Sequence, residues 1–327
     1  MRVSGCGPHQ RPPEAAEGDP GDPRRFPRSP QRTKATEGFV HGKLSASQIA
    51  WPPGADAEAA ALLVAHGIAG VELVPARVCE RPWEADGRRV AAVRRFWEEQ
   101  GLPIVALQAL LFGRDGMALF GSEGPRQLLA DHLAGIVDLA AGLGAESLVF
   151  GAPRQRRRGT LDVATATAIA VPFFRTLARR AADRGVWLCL EANPPDYGCD
   201  FLTASRDVID FVSTVAADGL GVHLDTGGMH LAGESAAAVI AAAGPRWRHV
   251  HASEPHLVPL GDGGTDHRAV ARLLAAAAYD RWVSVEIGPP GEGEDWRARL
   301  GRGLAVAAAA YAQEGETNVF PPPQAGV

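Results

Sequence analysis

Short apolar runs recur along the chain, and most of them end at a polar residue or in a loop rich in glycine and proline. Runs of this length with such borders are typical of buried β-strands. The pattern predicts eight strands, at Leu44–Ile49, Gly70–Val74, Pro103–Gln108, Ser147–Phe150, Val186–Glu191, Gly219–Asp225, Trp247–His251 and Trp282–Glu286.

Longer segments rich in alanine, leucine and arginine lie between the predicted strands, and their apolar residues repeat with helical spacing. This spacing places the apolar side chains on one helix face, which can then cover a sheet. Examples of the predicted helices are Asp56–His66, Arg88–Gln100, Pro125–Leu143, Leu161–Arg184 and Asp266–Ala277.

Strands that alternate with helices predict an α/β fold with a parallel sheet, and eight repeats favour closure into a single (β/α)8 TIM barrel. An open doubly wound sheet is the alternative. Its nucleotide-binding form loses support, because no GxGxxG motif follows the first strand and no GxxxxGK[ST] motif occurs anywhere in the chain.

The two ends of the chain differ from the part between them. Residues 1–40 interleave proline with arginine and contain almost no apolar side chains, so they cannot bury enough surface to offset the entropy of ordering. We therefore expect a disordered extension at 1–40, a barrel at 41–313 and a flexible tail at 314–327.

Composition narrows the functional classes. With 46% hydrophobic residues in 327, the chain can bury a large core, and its net charge of −5 offers no broad basic surface for nucleic acid. No apolar run approaches the roughly 18 residues that a membrane span needs. The four cysteines form neither a CxxC pair nor a secreted disulfide pattern, so we expect a cytoplasmic protein. The sequence leaves a homo-oligomer open.

Four polar residues stand at the ends of four consecutive predicted strands: Glu191, Asp225, His251 and Glu286. The carboxyl ends of parallel strands meet at one rim of a barrel, so these side chains are expected to converge. Three carboxylates and one imidazole suit a divalent cation, with Mn²⁺, Mg²⁺ or Co²⁺ favoured over a closed structural zinc site. For each residue taken alone, capping of the following helix is the alternative.

The segments LEAN, HLDTGG, HVHASEP and SVEIG around these four residues resemble the xylose-isomerase-like TIM barrel family, and the resemblance extends from about Leu44 to Gln313. That family, the AP endonuclease 2 superfamily, includes sugar phosphate isomerases and epimerases, ketose 3-epimerases and the relatives of endonuclease IV. The intervals of 34, 26 and 35 residues between the four positions are also similar to those of the family.

The resemblance implies that all four residues bind one divalent metal, Mn²⁺ foremost, with Mg²⁺, Co²⁺ or Zn²⁺ as alternatives. It further implies that Glu191 and Glu286 act as the acid/base pair in a proton transfer next to the carbonyl of a carbohydrate-like small molecule. Asp225 and His251 are then ligands only. We expect a second carboxylate, Glu254, to orient the imidazole of His251.

Other polar residues near the same predicted rim are candidates for substrate binding. For the histidines the alternative is a hydrogen-bonded place in the core, and for the arginine it is a solvated start to the next helix. The candidates are His223, His249, Asn193, His256, Gln108, Glu72, Trp51 and Arg154.

The chain departs from the common ketose 3-epimerase pattern at two positions. Gly228 stands where many of those enzymes have a histidine, and Leu257 stands where they have an arginine. His230 and His256 are close enough in sequence to substitute in part. The resemblance therefore implies a substrate other than the common hexuloses.

Three further functions remain as alternatives. A metal-dependent dehydratase of a cyclic polyol ketone would use the same site and begin with the same proton abstraction. A nuclease similar to endonuclease IV is remote, because its additional histidines are missing from the second and third predicted strands. A barrel that binds a sugar without catalysis would show no proton exchange.

Overall fold

The computed structural model describes residues 43–311. Its eight strands are parallel and hydrogen-bond in sequence order, and the last strand closes on the first. The predicted (β/α)8 barrel is confirmed, and each predicted strand is found within two residues of its expected ends. The strands are β1 Lys43–Ser47, β2 Gly70–Leu73, β3 Ile104–Leu107, β4 Ser147–Phe150, β5 Trp187–Glu191, β6 Leu220–Asp225, β7 Trp247–Ala252 and β8 Trp282–Val285.

Helices connect successive strands in the described part of the chain. The five helices that were predicted as examples occur as α1, α3, α4, α5 and α9, again within two residues of the expected ends. The helices are α1 Asp56–Ala65, α2 Pro75–Val78, α3 Gly87–Glu99, α4 Glu123–Leu143, α5 Val163–Asp183, α6 Ser205–Val215, α7 Thr226–Leu231, α8 Ala236–Ala243, α9 His267–Ala276 and α10 Trp296–Tyr311.

The apolar core lies between the strands and the helices. Successive strand residues point to opposite faces, so every second residue of a barrel strand packs outward against a helix. On β5 and β6 these outward residues join one buried apolar cluster with α5. That part of the cluster includes Leu188, Leu190, Val222, Leu224 and Phe174.

The inward-facing residues are unusually polar. Branched apolar side chains commonly fill the interior of a TIM barrel, whereas several strands of this barrel turn polar side chains inward. Buried polar residues on the strands include Ser45, Glu72, His223, His249 and Ser284. The apolar layer outside the strands therefore provides most of the hydrophobic stabilisation, and the barrel interior contains hydroxyl and ionisable side chains.

The predicted disordered extension at 1–40 and flexible tail at 314–327 lie outside the described residues. The domain bounds consequently stay predictions. Within residues 43–311, no helix combines the length and the apolar composition that are needed to cross a membrane.

Two glycines that precede neighbouring strands provide a test of the packing between helix and barrel. Gly185 and Gly219 both have positive φ, +72° and +82°, but a Cβ at Gly185 would meet open space whereas one at Gly219 would overlap the backbone of α5 at Ala178. We expect Gly185→Ala to lower the free energy of unfolding by about 1–2 kcal/mol, the strain of the left-handed conformation. Gly219→Ala should cost roughly 3 kcal/mol or more, because steric overlap adds to that strain.

Urea denaturation of both variants beside the wild type measures these losses. Equal losses in the two variants would contradict the close approach of α5 to the start of β6.

Candidate functional site

The ends of β5 to β8 bring the four predicted ligands together. Glu191 and Asp225 are the last residues of β5 and β6, His251 lies on β7, and Glu286 directly follows β8. Strand pairing aligns Asp225 with His251, which makes their side chains neighbours on one face. Asp225, His251 and Glu286 are buried and Glu191 is half-buried. Four residues that are far apart in sequence therefore occupy one rim of the barrel.

The ligand-type atoms are close enough to share one cation. One such atom from each of Glu191, His223, Asp225 and His251 lies within 4.8 Å of those of the other three. Glu286 is outside this group, but its Oε2 lies 3.1 Å from Nδ1 of His251. The structure thus adds His223, which was predicted to orient ligands or to contact substrate, to the residues around the centre of the site.

His251 has a different orienting partner from the one predicted. Its Nε2 lies 3.0 Å from Oε2 of Glu72, a fully buried residue of β2. Glu254, the expected partner, instead accepts hydrogen bonds from the backbone of Gly261 and Thr265 and lies 3.3 Å from Nε2 of His267. The prediction for Glu254 was wrong, because its side chain organises the loop after β7.

Asp225 has a structural contact at each oxygen. Its Oδ1 accepts the N–H of Gly228 and caps α7, and its Oδ2 accepts the hydroxyl of Ser253 at 2.5 Å. A carboxylate oxygen has more than one lone pair, so capping and metal binding do not exclude each other. The two contacts fix the carboxylate in place.

The Glu191 carboxylate lies close to a glycine at the end of the neighbouring strand. A Cβ at Gly151, directly after β4, would overlap Oε2 of Glu191 and would lie 3.1 Å from Oδ1 of Asn193. In the described part of the chain the Glu191 carboxylate accepts no side-chain or backbone hydrogen bond. The absence of a side chain at residue 151 leaves room for this carboxylate.

Burial and crowded negative charge shift the proton affinities of the carboxylates. Burial first, and then the charges of Asp225 and Glu286, raise the pKa of Glu191 to about 8. Burial and the Glu286 charge also raise the pKa of Asp225 to about 6, against the opposing effect of His251. Three carboxylates in this space therefore disfavour full ionisation in the absence of a compensating cation.

The pKa of His251, the histidine between these carboxylates, is raised as well, and in its case the cause is the neighbouring negative charge. Burial alone would lower the pKa of His251, but the Glu72 and Glu286 carboxylates outweigh it and hold that pKa well above its usual value. Burial likewise works against ionisation of Glu72, yet His251 and His249 hold the pKa of Glu72 well below its usual value. Glu72 and His251 thus form a buried charged pair beneath the rim.

A cavity of about 490 Å³ adjoins Glu191. It lies between the loops after β3 and β4, and its lining includes three residues that were predicted to contact substrate. These are Gln108, Asn193 and Arg154. Such a volume is within the range of small-molecule sites.

Sequence reasoning missed the role of Arg156. It belongs to the arginine-rich run at 154–158, after β4, yet its side chain is fully buried. Its guanidinium donates to the backbone oxygen of Glu191 at 2.7 Å and to Oδ1 of Asn193 at 3.0 Å, and it also reaches Sγ of Cys199 and the backbone oxygen of Leu202. This arginine secures the segment that leaves β5, including two site residues.

The remaining predicted substrate contacts lie away from this cavity. Glu72 and His249 are buried in the barrel interior, and Nε2 of His249 lies 3.5 Å from Oε1 of Glu72. His256 is exposed, and its backbone N–H donates to the hydroxyl of Tyr197 at 3.1 Å. Trp51 is buried against Trp97 and does not face the cavity.

His230, considered as a substitute for the histidine missing at 228, is also exposed. Its Nδ1 lies 3.2 Å from the hydroxyl of Thr265. The structure therefore does not bring His230 to the four ligands.

The donor set fits a divalent cation. The Nδ1 atom of His251 is buried without a well-aligned hydrogen bond, and it faces the Glu286 and Asp225 carboxylates. Oxygen and imidazole donors in this proportion suit Mn²⁺, Mg²⁺, Co²⁺ or Zn²⁺. A cation here would offset the negative charge that raises the pKa of Glu191.

Comparisons with known proteins agree with this architecture. The sequence model of one protein family, described as "xylose isomerase-like TIM barrel", matches residues 60–307 of this chain. A ketose 3-epimerase from Arthrobacter globiformis is 28% identical over 152 residues, which is 46% of this chain and 52% of that protein. The chain thus matches about half the length of this curated relative.

Two solved structures share the fold at low identity. A 3-keto-D-glucoside 4-epimerase from E. coli has a TM-score of 0.69 at 18% identity, covering 82% of this chain and 99% of that one. A D-psicose 3-epimerase from Clostridium cellulolyticum H10 has a TM-score of 0.71 at 16% identity, covering 83% and 100%. Since the family description matches most of the chain and the barrel has the expected topology, the chain belongs to the xylose isomerase-like TIM barrel family.

Proposed function

We propose that this protein is a divalent-metal-dependent isomerase or epimerase of a sugar, a sugar phosphate or a related polyol ketone. Glu191 and Glu286 serve as its acid/base pair, and Asp225 and His251 complete the metal ligands. The observation that carries the proposal is the convergence of these four side chains beside a cavity that reaches Glu191.

The substrate class follows from chemistry and from similarity together. Breaking a C–H bond next to a carbonyl needs a base near the carbon and stabilisation of negative charge near the oxygen. The site offers carboxylate bases and a cation-binding donor set. Partial similarity to a ketose 3-epimerase supports a ketose-like substrate.

Glu191, Asp225, His251 and Glu286 would hold the metal, with Mn²⁺ favoured. When bound, the cation supplies Lewis-acid stabilisation of the substrate oxygen on which negative charge develops. Asp225 is held rigidly by Gly228 and Ser253, and His251 by Glu72, so both are suited to a fixed ligand role.

The two glutamates carry the proton. Glu191 ends β5 and Glu286 directly follows β8, the two outer members of the four strands. One carboxylate removes the proton from the carbon next to the carbonyl, the electron pair of the C–H bond forms a C=C bond to the carbonyl carbon, and the π pair of the carbonyl moves onto its oxygen. The other carboxylic acid then gives its proton to the same carbon from the opposite face, and the carbonyl re-forms. The stereocentre is inverted and the glutamates have exchanged protonation states.

The cavity residues would bind the remainder of the substrate. Gln108, Asn193 and Arg154 line the cavity, and Arg154 adds positive charge suited to an anionic group. Gly228 lies near Asp225 without a side chain of its own, and Leu257 provides no guanidinium. These departures favour a substrate other than the common hexuloses. His223, His249, His256 and Glu72 remain proposed contacts of lower priority, since they lie outside the cavity lining.

Substitution of Glu286 tests the acid/base assignment. We expect Glu286→Gln to retain the fold and to lose at least about 10²-fold in turnover, because a general acid/base contributes at least that much. The matched control is Glu292→Gln, an exposed glutamate in the same loop, which should retain wild-type turnover.

The assay follows deuterium uptake from solvent and product formation by NMR across a panel of ketoses, ketose phosphates and polyol ketones. D-psicose, D-tagatose and L-ribulose, sugars named for structural relatives, are included for comparison. Near-normal turnover of Glu286→Gln would remove Glu286 from the mechanism. Product formation with loss of water would favour the dehydratase alternative.

Substitution of His251 tests the metal site. We expect His251→Ala to lose most of its bound divalent metal and to lose the rise in melting temperature on Mn²⁺ addition, since a ligand that binds the folded state stabilises it. The control His230→Ala removes an exposed imidazole that is bonded to Thr265 and should retain both properties. Elemental mass spectrometry and thermal melts provide the measurements, and unchanged metal content in His251→Ala would contradict the ligand assignment.

The raised carboxylate pKa values give metal binding a defined pH dependence. With a pKa of about 8, Glu191 is mostly protonated at pH 7 in the absence of bound metal, and Asp225 with a pKa of about 6 is partly protonated near pH 6. The cation must displace these protons and also the proton on Nδ1 of His251, whose pKa lies well above its usual value, so metal affinity should rise from pH 6 and should still be rising at pH 8. Each proton released changes affinity by up to about tenfold per pH unit.

Calorimetric titration of metal-free protein with Mn²⁺ at pH 7, in two buffers of different ionisation enthalpy, counts the released protons. An absence of proton release would show that neither Glu191 nor His251 holds a proton before metal binding and would contradict this pH dependence.

A further inference from the structure

The imidazole of His251 contacts carboxylates with both ring nitrogens. Its Nδ1 lies 3.1 Å from Oε2 of Glu286 and 4.0 Å from Oδ2 of Asp225. Its Nε2 lies 3.0 Å and 3.2 Å from the two carboxylate oxygens of Glu72. Glu72 belongs to β2 and reaches His251 through the barrel interior. The imidazole ring therefore lies between the proposed ligands Asp225 and Glu286 on one side and the Glu72 carboxylate on the other.

We propose that Glu72 is a positioning residue for the metal site, which orients His251 so that Nδ1 faces the other three ligands. This inference rests on the metal-dependent function proposed above. An ionised carboxylate can only accept hydrogen bonds, so the nitrogen that it contacts must be the one that carries hydrogen. When a cation displaces the proton from Nδ1 of the charged ring, the remaining hydrogen stays on Nε2 against Glu72, and the lone pair lies on Nδ1, the nitrogen nearest Asp225 and Glu286. Glu72 thus selects both the tautomer and the direction of the donor atom.

The surroundings of Glu72 favour this role over that of a general structural ion pair. Its side chain is fully buried, and in the described part of the chain the ionisable groups that lie within 4.0 Å of its carboxylate are the imidazoles of His249 and His251. A carboxylate away from water requires compensating partners. His251 provides the shorter contact, 3.0 Å against 3.5 Å for His249. The contact to His251 is therefore the principal one that this buried charge makes.

Neighbouring rings limit the movement of His251 further. The ring of His223 meets that of His251 nearly edge to face, with 4.1 Å between centroids. His249 packs at 5.5 Å on β7. A ring held by Glu72 and packed against two histidines cannot turn without disturbing all three neighbours. Without Glu72, only packing against neighbouring side chains would determine the orientation of the His251 ring.

The protein contains a matched control pair. Glu254 is also fully buried and also contacts a buried histidine, because its Oε1 lies 3.3 Å from Nε2 of His267. That histidine contacts the hydroxyl of Tyr311 through Nδ1 and belongs to α9, not to the proposed ligands. A glutamate-to-glutamine change at residue 254 therefore disturbs a comparable pair without touching His251.

The test compares Mn²⁺ affinity and the visible spectrum of the Co²⁺-loaded protein in wild type, Glu72→Gln and Glu254→Gln. We expect Glu72→Gln to weaken Mn²⁺ binding by about 10- to 100-fold, the usual effect of removing the partner of a ligating histidine. Its Co²⁺ absorption bands should shift, because the donor nitrogen is oriented differently. Glu254→Gln should keep wild-type affinity and spectrum even where its melting temperature falls.

A second variant, Glu72→Asp, keeps the proposal testable if Glu72→Gln does not fold. Glu72→Asp keeps the charge but is one methylene shorter, which withdraws the carboxylate from Nε2 of His251, and it should also lose Mn²⁺ affinity. Affinity within twofold of wild type in a folded Glu72 variant, with an unchanged Co²⁺ spectrum, would overturn the positioning role while leaving the proposed metal site intact. A wild-type protein that binds neither Mn²⁺ nor Co²⁺ would overturn the metal site and the role of Glu72 together.

Discussion

Closure of eight parallel strands into one barrel forces the carboxyl ends of β5 to β8 to face a common centre. The strand register then decides which side chains become neighbours. It aligns Glu191 with His223 and Asp225 with His251. The chemical properties of the site depend on this arrangement, because the same residues on an open sheet would not be held around one point. The fold therefore determines the site through the register of its strands.

Concentrated negative charge is the main consequence of that convergence. Glu191, Asp225 and Glu286 lie close together and are largely removed from water, which raises the pKa of Glu191 to about 8 and that of Asp225 to about 6. The fully buried guanidinium of Arg156 binds the backbone behind Glu191, and His251 lies among the three carboxylates. These groups compensate part of the negative charge, and a divalent cation would compensate more of it.

The two faces of the strands have different kinds of side chain, apolar ones toward the helices and polar ones toward the barrel interior. Outward-facing residues such as Leu190 and Leu224 join the apolar layer beneath the helices, while inward-facing residues of the same strands include Glu191, His223 and Asp225. Because the apolar layer is continuous around the barrel, the interior can contain charged groups without loss of the core. This division allows the buried pair of Glu72 and His251 to persist inside the barrel.

The sequence by itself determined the strands, the principal helices, the barrel and the four residues that converge at its rim, since all of these follow from local periodicity and from residues at strand ends. Only the tertiary structure decided which partners those residues have. Glu72 and His251 are 179 positions apart, and Glu191 and Arg156 are 35 apart. Sequence patterns report which face of a strand or helix a residue occupies, whereas contacts across the barrel depend on its diameter and register. For that reason Glu254 was a plausible partner of His251 in the sequence, and Glu72 became the partner in the folded chain.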